Sequence, residues 1–82
     1  MRIVKGKLKY DLDEERFYIE DLNGITSPYF HCGDVFSIRI DETWHKTRIE
    51  YNGEWFLVLR TAKEIKIYGN QNIEGIEAMT EW

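Results

Sequence analysis

The sequence predicts a single all-β domain, a small partly open barrel or sandwich of five or six antiparallel strands. Three observations carry this. Val, Ile, Tyr, Phe, Trp and Thr fill short runs separated by turn residues every eight to twelve positions. Arg2 to Tyr10 alternates strictly, and Asn52-Gly53 between two apolar runs is a strong hairpin signal, because both residues tolerate positive φ. A chain of 82 residues with 43% hydrophobic and 15% aromatic content buries about 64% of its surface on folding. That supports one core and excludes wholesale disorder.

The elements follow in chain order. In the first run Val4, Gly6, Leu8 and Tyr10 share one face, and Lys5, Lys7 and Lys9 take the other. Asp11 to Glu14 is a polar loop, and pairing Tyr10 with Glu15 sets Leu8 opposite Phe17, Gly6 opposite Ile19 and Lys5 opposite Glu20. Asp21 to Pro28, with Asn23-Gly24 and the one proline, should carry the chain across the core. Val35 to Ile40 reads as a strand with Phe36, Ile38 and Ile40 on one face, and Asp41-Glu42 turns it into Thr43 to Tyr51. A two-residue turn at Asn52-Gly53 sets Ile49 opposite Phe56 and Thr47 opposite Val58. It leaves Glu50 opposite Trp55 and Arg48 opposite Leu57 on the other face. Trp55 to Leu59 is apolar on both faces and reads as the centre of the fold, and Glu64 to Tyr68 as a final strand. Residues 1–68 thus form the expected domain. Residues 69–82, where Ile73, Ile76 and Met79 recur at threes, are expected as a short helical turn or a disordered tail.

Eleven Lys and Arg against fifteen Asp and Glu give a formal charge of −4, which argues against a general duplex-DNA binder. There is no run of 18 apolar residues for a membrane span, and Lys5, Lys7 and Lys9 interrupt any leader-like stretch at the start. Cys32 is the one cysteine, so no intrachain disulfide forms. A cytoplasmic protein is expected.

Candidate chemistry is sparse. His31-Cys32 juxtaposes a base and a thiol, but neighbours in an extended segment point to opposite faces, which leaves His45 as the only base able to approach from another strand. A metal site would need His31, Cys32, His45 and Asp34 without any paired ligand spacing. The plainer reading is a small thiol and two ordinary histidines, with His45 opposite Ile38, and neither catalysis nor a cofactor is expected. Gly33-Asp34 reads as a turn whose Asp accepts from nearby backbone N–H groups. Asp11, Asp13, Glu14 and Glu15 lack calcium-loop spacing and read as a solvated loop.

Two surfaces remain. Lys5, Lys7, Lys9, Arg16 and Tyr18 form a basic ridge with an aromatic in it, the pattern that grips single-stranded nucleic acid. Its bland counterpart is a wet strand face whose lysines discourage edge pairing. Trp44, Trp55, Tyr29 and Phe30 form the other set. Three tryptophans exceed what so small a core encloses, so a protein-binding hot spot built on Trp44, Trp55, Tyr29 and Arg48, rimmed by Lys46 and Glu50, is the principal expectation.

The stretch from Tyr29 to Phe36, then Trp44, Thr47-Arg48-Ile49-Glu50 and Trp55-Phe56-Leu57-Val58, resembles a family of small bacterial proteins defined as a domain of unknown function. The family pattern runs Leu-His-Cys-Gly, an aromatic-valine strand, Asn-Gly, Trp, Thr-Arg-Ile-Glu and Trp-Tyr-Leu, and Gly6, Leu8 and Tyr10 suit its opening. Asp41-Glu42 departs from its Asn-Gly, and His45-Lys46 from its Val-Pro, which weakens a functional role for His45. The resemblance spans about Lys5 to Ile67 and implies an SH3-like small barrel, low-GC gut-type bacteria and mobile elements. It implies no activity.

The expectation is therefore a non-enzymatic module with an unidentified protein partner. Single-stranded nucleic-acid binding, or acidic inhibition of a nucleic-acid-binding protein, stand as alternatives. No membrane association is expected, and homodimerisation is open.

Overall fold

Each segment with period-two alternation is a strand in the computed structural model, which describes residues 1–61 and 63–82. The strands are β1 (Ile3–Asp11), β2 (Arg16–Glu20), β3 (Val35–Ile40), β4 (Thr43–Tyr51), β5 (Trp55–Leu59), β6 (Ile65–Tyr68) and β7 (Glu77–Glu81). One helical turn, α1 (Asn70–Ile73), links β6 to β7. All pairings are antiparallel, and the strands form one seven-stranded sheet in the order β2-β1-β7-β3-β4-β5-β6. None of the described helices is long and apolar enough to cross a membrane.

The inner face carries the core. Val4 and Leu8 of β1, Phe17 and Ile19 of β2, Phe36 and Ile38 of β3, Ile49 of β4 and Leu57 and Leu59 of β5 are buried there. Phe30 from the loop and Ile73 from α1 close it. Each such side chain contributes about 1.5–3 kcal/mol relative to exposure. Thr47, the polar residue fully buried among them, donates its hydroxyl to the Val58 carbonyl at 3.0 Å, so it leaves no orphaned donor.

Four expectations are corrected. The sheet is not closed into a barrel, SH3-like or otherwise, because β2 and β6 lie at its two ends. Chain 26–30 covers the outer edge of β2 instead, with Ser27 N–H donating to Ile19 O and Phe30 N–H to Phe17 O, each at 2.8 Å. Residues 69–82 are no tail: after the turn of α1 the chain enters the sheet as β7, between β1 and β3. The helical turn ends at Ile73, because Glu74 takes an extended ψ of 135°, and Gly75, at φ 90°, redirects the chain so that Ile76 and Met79 do not share its face. Ala78 then fits the narrow inner row between Gly6 and Ile38.

The third correction concerns β1 and β2. Tyr10 pairs with Phe17 and Leu8 with Ile19, a slip of two residues from the expected register. An even slip leaves every side chain on its expected face. The fourth has larger consequences. Asn52, Gly53 and Glu54 form a three-residue loop, so Tyr51 pairs with Trp55 and Ile49 with Leu57. This is a one-residue slip, and it exchanges the two faces of β5: Trp55 is inside, Phe56 and Val58 outside. β5 is also next to the sheet end, not central, although all five of its residues are buried.

Candidate interaction face

Alternation along the strands leaves one outer face facing away from the core. β1 contributes Lys5, Lys7 and Lys9 to it, and β2 contributes Arg16 and Tyr18. The expected basic ridge is therefore real as a juxtaposition. Two cross-strand rows continue it. Lys5, Met79, Ser37 and Lys46 lie side by side across β1, β7, β3 and β4, and Lys7, Glu77, Arg39 and Trp44 form the next row. Among the described residues, none of the three lysines makes an ion pair within 4.0 Å. Lys7 lies opposite Glu20 on one side and Glu77 on the other, which makes the ridge mixed in charge rather than uniformly basic.

Trp44 is half-buried on this face, near the Asp41-Glu42 turn at the start of β4. Lys5 Nζ stands 5.6 Å from its ring centroid, close enough for a cation–π contact. Arg39, opposite Trp44 in the ladder, reaches Glu77 with its guanidinium at 3.4 Å. The indole thus lies among charges of both signs, Lys5 and the Arg39–Glu77 pair.

The other residues of the expected hot spot are dispersed. Trp55 is 6% exposed, packs in the core and donates its indole N–H to the Glu15 carbonyl at 3.0 Å, so it cannot meet a partner as part of an outer patch. The register slip at Gly53 is the reason. Tyr29 is exposed on the loop, edge-on to Tyr18 at 5.7 Å, and its hydroxyl donates to Asp11 Oδ2. That bond pushes the Tyr29 phenol up to about 12 and holds Asp11 below its ordinary value. Partial burial, then the Glu20 charge, raises Tyr18. Arg48 lies over Val58, and its Nε is 3.4 Å from Glu50 Oε2 in an ion pair without hydrogen-bond geometry. It belongs to a packed patch with Phe56, Lys66 and Tyr68 that covers the outer side of β5.

The reactive residues are not brought together. Cys32 is exposed and its thiol lies 3.4 Å from Glu50 Oε1. His45 is opposite Ile38, on the other face of β4 from Glu50 and about 16 Å away along the strand. His31 and Asp34 form a local turn in which Asp34 Oδ2 accepts the His31 backbone N–H at 2.7 Å. Among the described residues no group of three or more His, Cys, Asp or Glu is placed to hold a metal ion. Asp11, with Asp13 and Glu14, forms a turn closed by backbone N–H donors to Asp11 Oδ1.

Comparison with known proteins places this architecture. A search of curated proteins finds no match. A crystal structure of a protein from Ruminococcus gnavus, solved by a structural genomics consortium, is similar over 94% of this chain and 100% of its own, with a TM-score of 0.72 and 24% identity. At that identity the likeness speaks for the fold. The family model for a domain of unknown function, DUF5348, matches residues 6–73. That span runs from within β1 through α1 and takes in the outer face except Lys5 and β7, and the chain belongs to the DUF5348 family.

Proposed function

We propose that the domain is a non-enzymatic, cytoplasmic interaction module that binds a protein partner through its outer sheet face, with Trp44 as the anchor. The observation that carries this reading is the position of Trp44: an indole on an open strand face, beside Arg39, with Lys5 over its ring, Lys46 and Glu77 nearby and Met79 in the neighbouring row. Interface centres are enriched in aromatic residues, Met and Arg, and their rims are polar. Tyr29 and Arg48 stand at the periphery, and Trp55 supports the sheet from beneath. The separation of His31, Cys32 and His45 favours a module without chemistry of its own.

Trp44→Ala is the test. With the circular dichroism spectrum unchanged, partners cross-linked to the wild-type domain in its native cytoplasm should be lost. Recovery of the same adducts overturns the proposal. A second reading, single-stranded nucleic-acid binding, is favoured by the assembly of Lys5, Lys7, Lys9, Arg16 and Tyr18 on the same face. It predicts salt-dependent anisotropy of labelled oligonucleotides that falls in a Lys5→Glu, Lys9→Glu variant. No anisotropy change at low salt eliminates it.

A further inference from the structure

The end of the sheet where β1, β4 and β5 meet their loops carries a second concavity, distinct from the outer face. Tyr10, Tyr51 and Trp55 are common to its two lobes. Tyr51 is half exposed and meets Trp55 edge-on, with centroids 4.9 Å apart and planes at 61°. The Trp55 indole is fixed by its bond to Glu15 O, and Tyr10 is fixed against Phe17 at 4.9 Å. The aromatic floor is therefore preorganised, which lowers the ordering cost of binding.

The rim is acidic. Glu14 and Glu15 border one lobe and Glu54 the other. Glu74 adds a carboxylate 3.4 Å from the Tyr10 backbone N. Arg16, the one Lys or Arg along the concavity among the described residues, directs its guanidinium to the Phe30 carbonyl at 3.3 Å. Aromatic faces are the negative pole of the ring quadrupole, and carboxylates above them reinforce the same field. Fixed rings surrounded by carboxylates complement a soft, weakly hydrated cation.

We propose that this concavity binds an organic cation, a quaternary ammonium or a guanidinium group, between Tyr51 and Tyr10 with Glu54 and Glu14 as counter-charges. The site is independent of Trp44. Its source is either a free quaternary amine or an arginine side chain of a peptide, and the same rings serve both.

The test follows backbone and indole resonances of the labelled domain by NMR while tetramethylammonium chloride, or N-acetyl-arginine amide, replaces sodium chloride at constant ionic strength. Saturable shifts confined to Tyr10, Glu14, Tyr51, Gly53, Glu54 and the Trp55 indole are expected. Tyr51→Ala, at an exposed position, should abolish saturation. Glu54→Gln should weaken binding about threefold or more, and Trp44→Ala should leave it unchanged. Tighter binding of tetramethylammonium assigns the site to free quaternary amines, and tighter binding of the arginine amide assigns it to peptides. Shifts that stay linear, that survive Tyr51→Ala, or that appear with a neutral disaccharide and with neither cation overturn the proposal.

Discussion

Gly6→Ala tests the way the chain turns over the sheet. Gly6 lies on the inner face of β1, opposite Ala78, and the chain leaving β2 passes directly across it. A Cβ built there falls 2.6 Å from the Glu20 carbonyl carbon and 2.8 Å from Asp21 Cα, and nearer still to the Glu20 oxygen. All three are backbone atoms, so no side-chain rotation relieves the overlap. Glu20 must move by about 1 Å, although it is held by its pairing with Lys7 and its bridge to Thr26. Loss of one or two such bonds at about 1 kcal/mol each, with overpacking of about 1–3 kcal/mol, gives a destabilisation of about 3 kcal/mol. For a chain of 82 residues, whose whole stability is about 4–12 kcal/mol, that is a large fraction. The thermal midpoint should fall by about 12–24 °C, read by circular dichroism, with a matching loss in urea. The sign decides the matter. Without the overlap, Gly→Ala at ordinary φ gains about 0.4–1 kcal/mol through the unfolded state, and an unchanged or raised midpoint refutes the crossing.

Trp55→Ala should cost about 3–5 kcal/mol in urea denaturation, and Trp44→Ala about 1 kcal/mol, because the first opens the core and the second removes one exposed ring contact. Equal losses would contradict the assignment of faces on β5. Truncation after residue 76 removes the strand that joins β1 to β3, and the remaining chain should lose its dispersed NMR spectrum. A folded product would show that β7 is dispensable. The bond between Tyr29 and Asp11 gives stability a pH window at both ends. The raised phenol means that its contribution is complete below the ordinary value of 10.0 and is lost as pH rises through about 12. The lowered carboxyl means that it is also complete above the ordinary carboxyl value of 3.8 and is lost as pH falls through the depressed value. Spectroscopic titration should therefore find Tyr29 protonated at pH 11 in the wild type and ionising near 10 in Asp11→Asn, and identical titrations would exclude the bond.

The faces of the sheet were more legible in the sequence than its registers. Lys5, Lys7 and Lys9 against Val4 and Leu8 allow one orientation of β1, and the two-residue error opposite β2 changed no face. Asp41-Glu42 was readable as a two-residue turn and has positive φ at both positions, 50° and 66°. Trp55 to Leu59 was different. With apolar residues on both faces, no hydrophobic pattern opposes a one-residue slip, so the loop alone sets the register, and Asn-Gly at its start concealed the third residue. That ambiguity placed Trp55 on the wrong side and hid the floor it makes with Tyr51 and Tyr10. β7 was obscured for another reason. Glu-Ala-Met-Thr-Glu has little β preference, and its strand character comes from two neighbours that need a narrow residue, Ala78, between Gly6 and Ile38.

Hydrogen exchange at the three indole N–H groups of the free domain tests most directly how tryptophan is divided between a sealed interior and an open face. The Trp55 proton, bonded to Glu15 O beneath the sheet, should exchange only on unfolding, and those of Trp44 and Trp82 within seconds. A Trp55 proton that exchanges as fast as that of Trp44 would contradict both the register and the interaction face built on it.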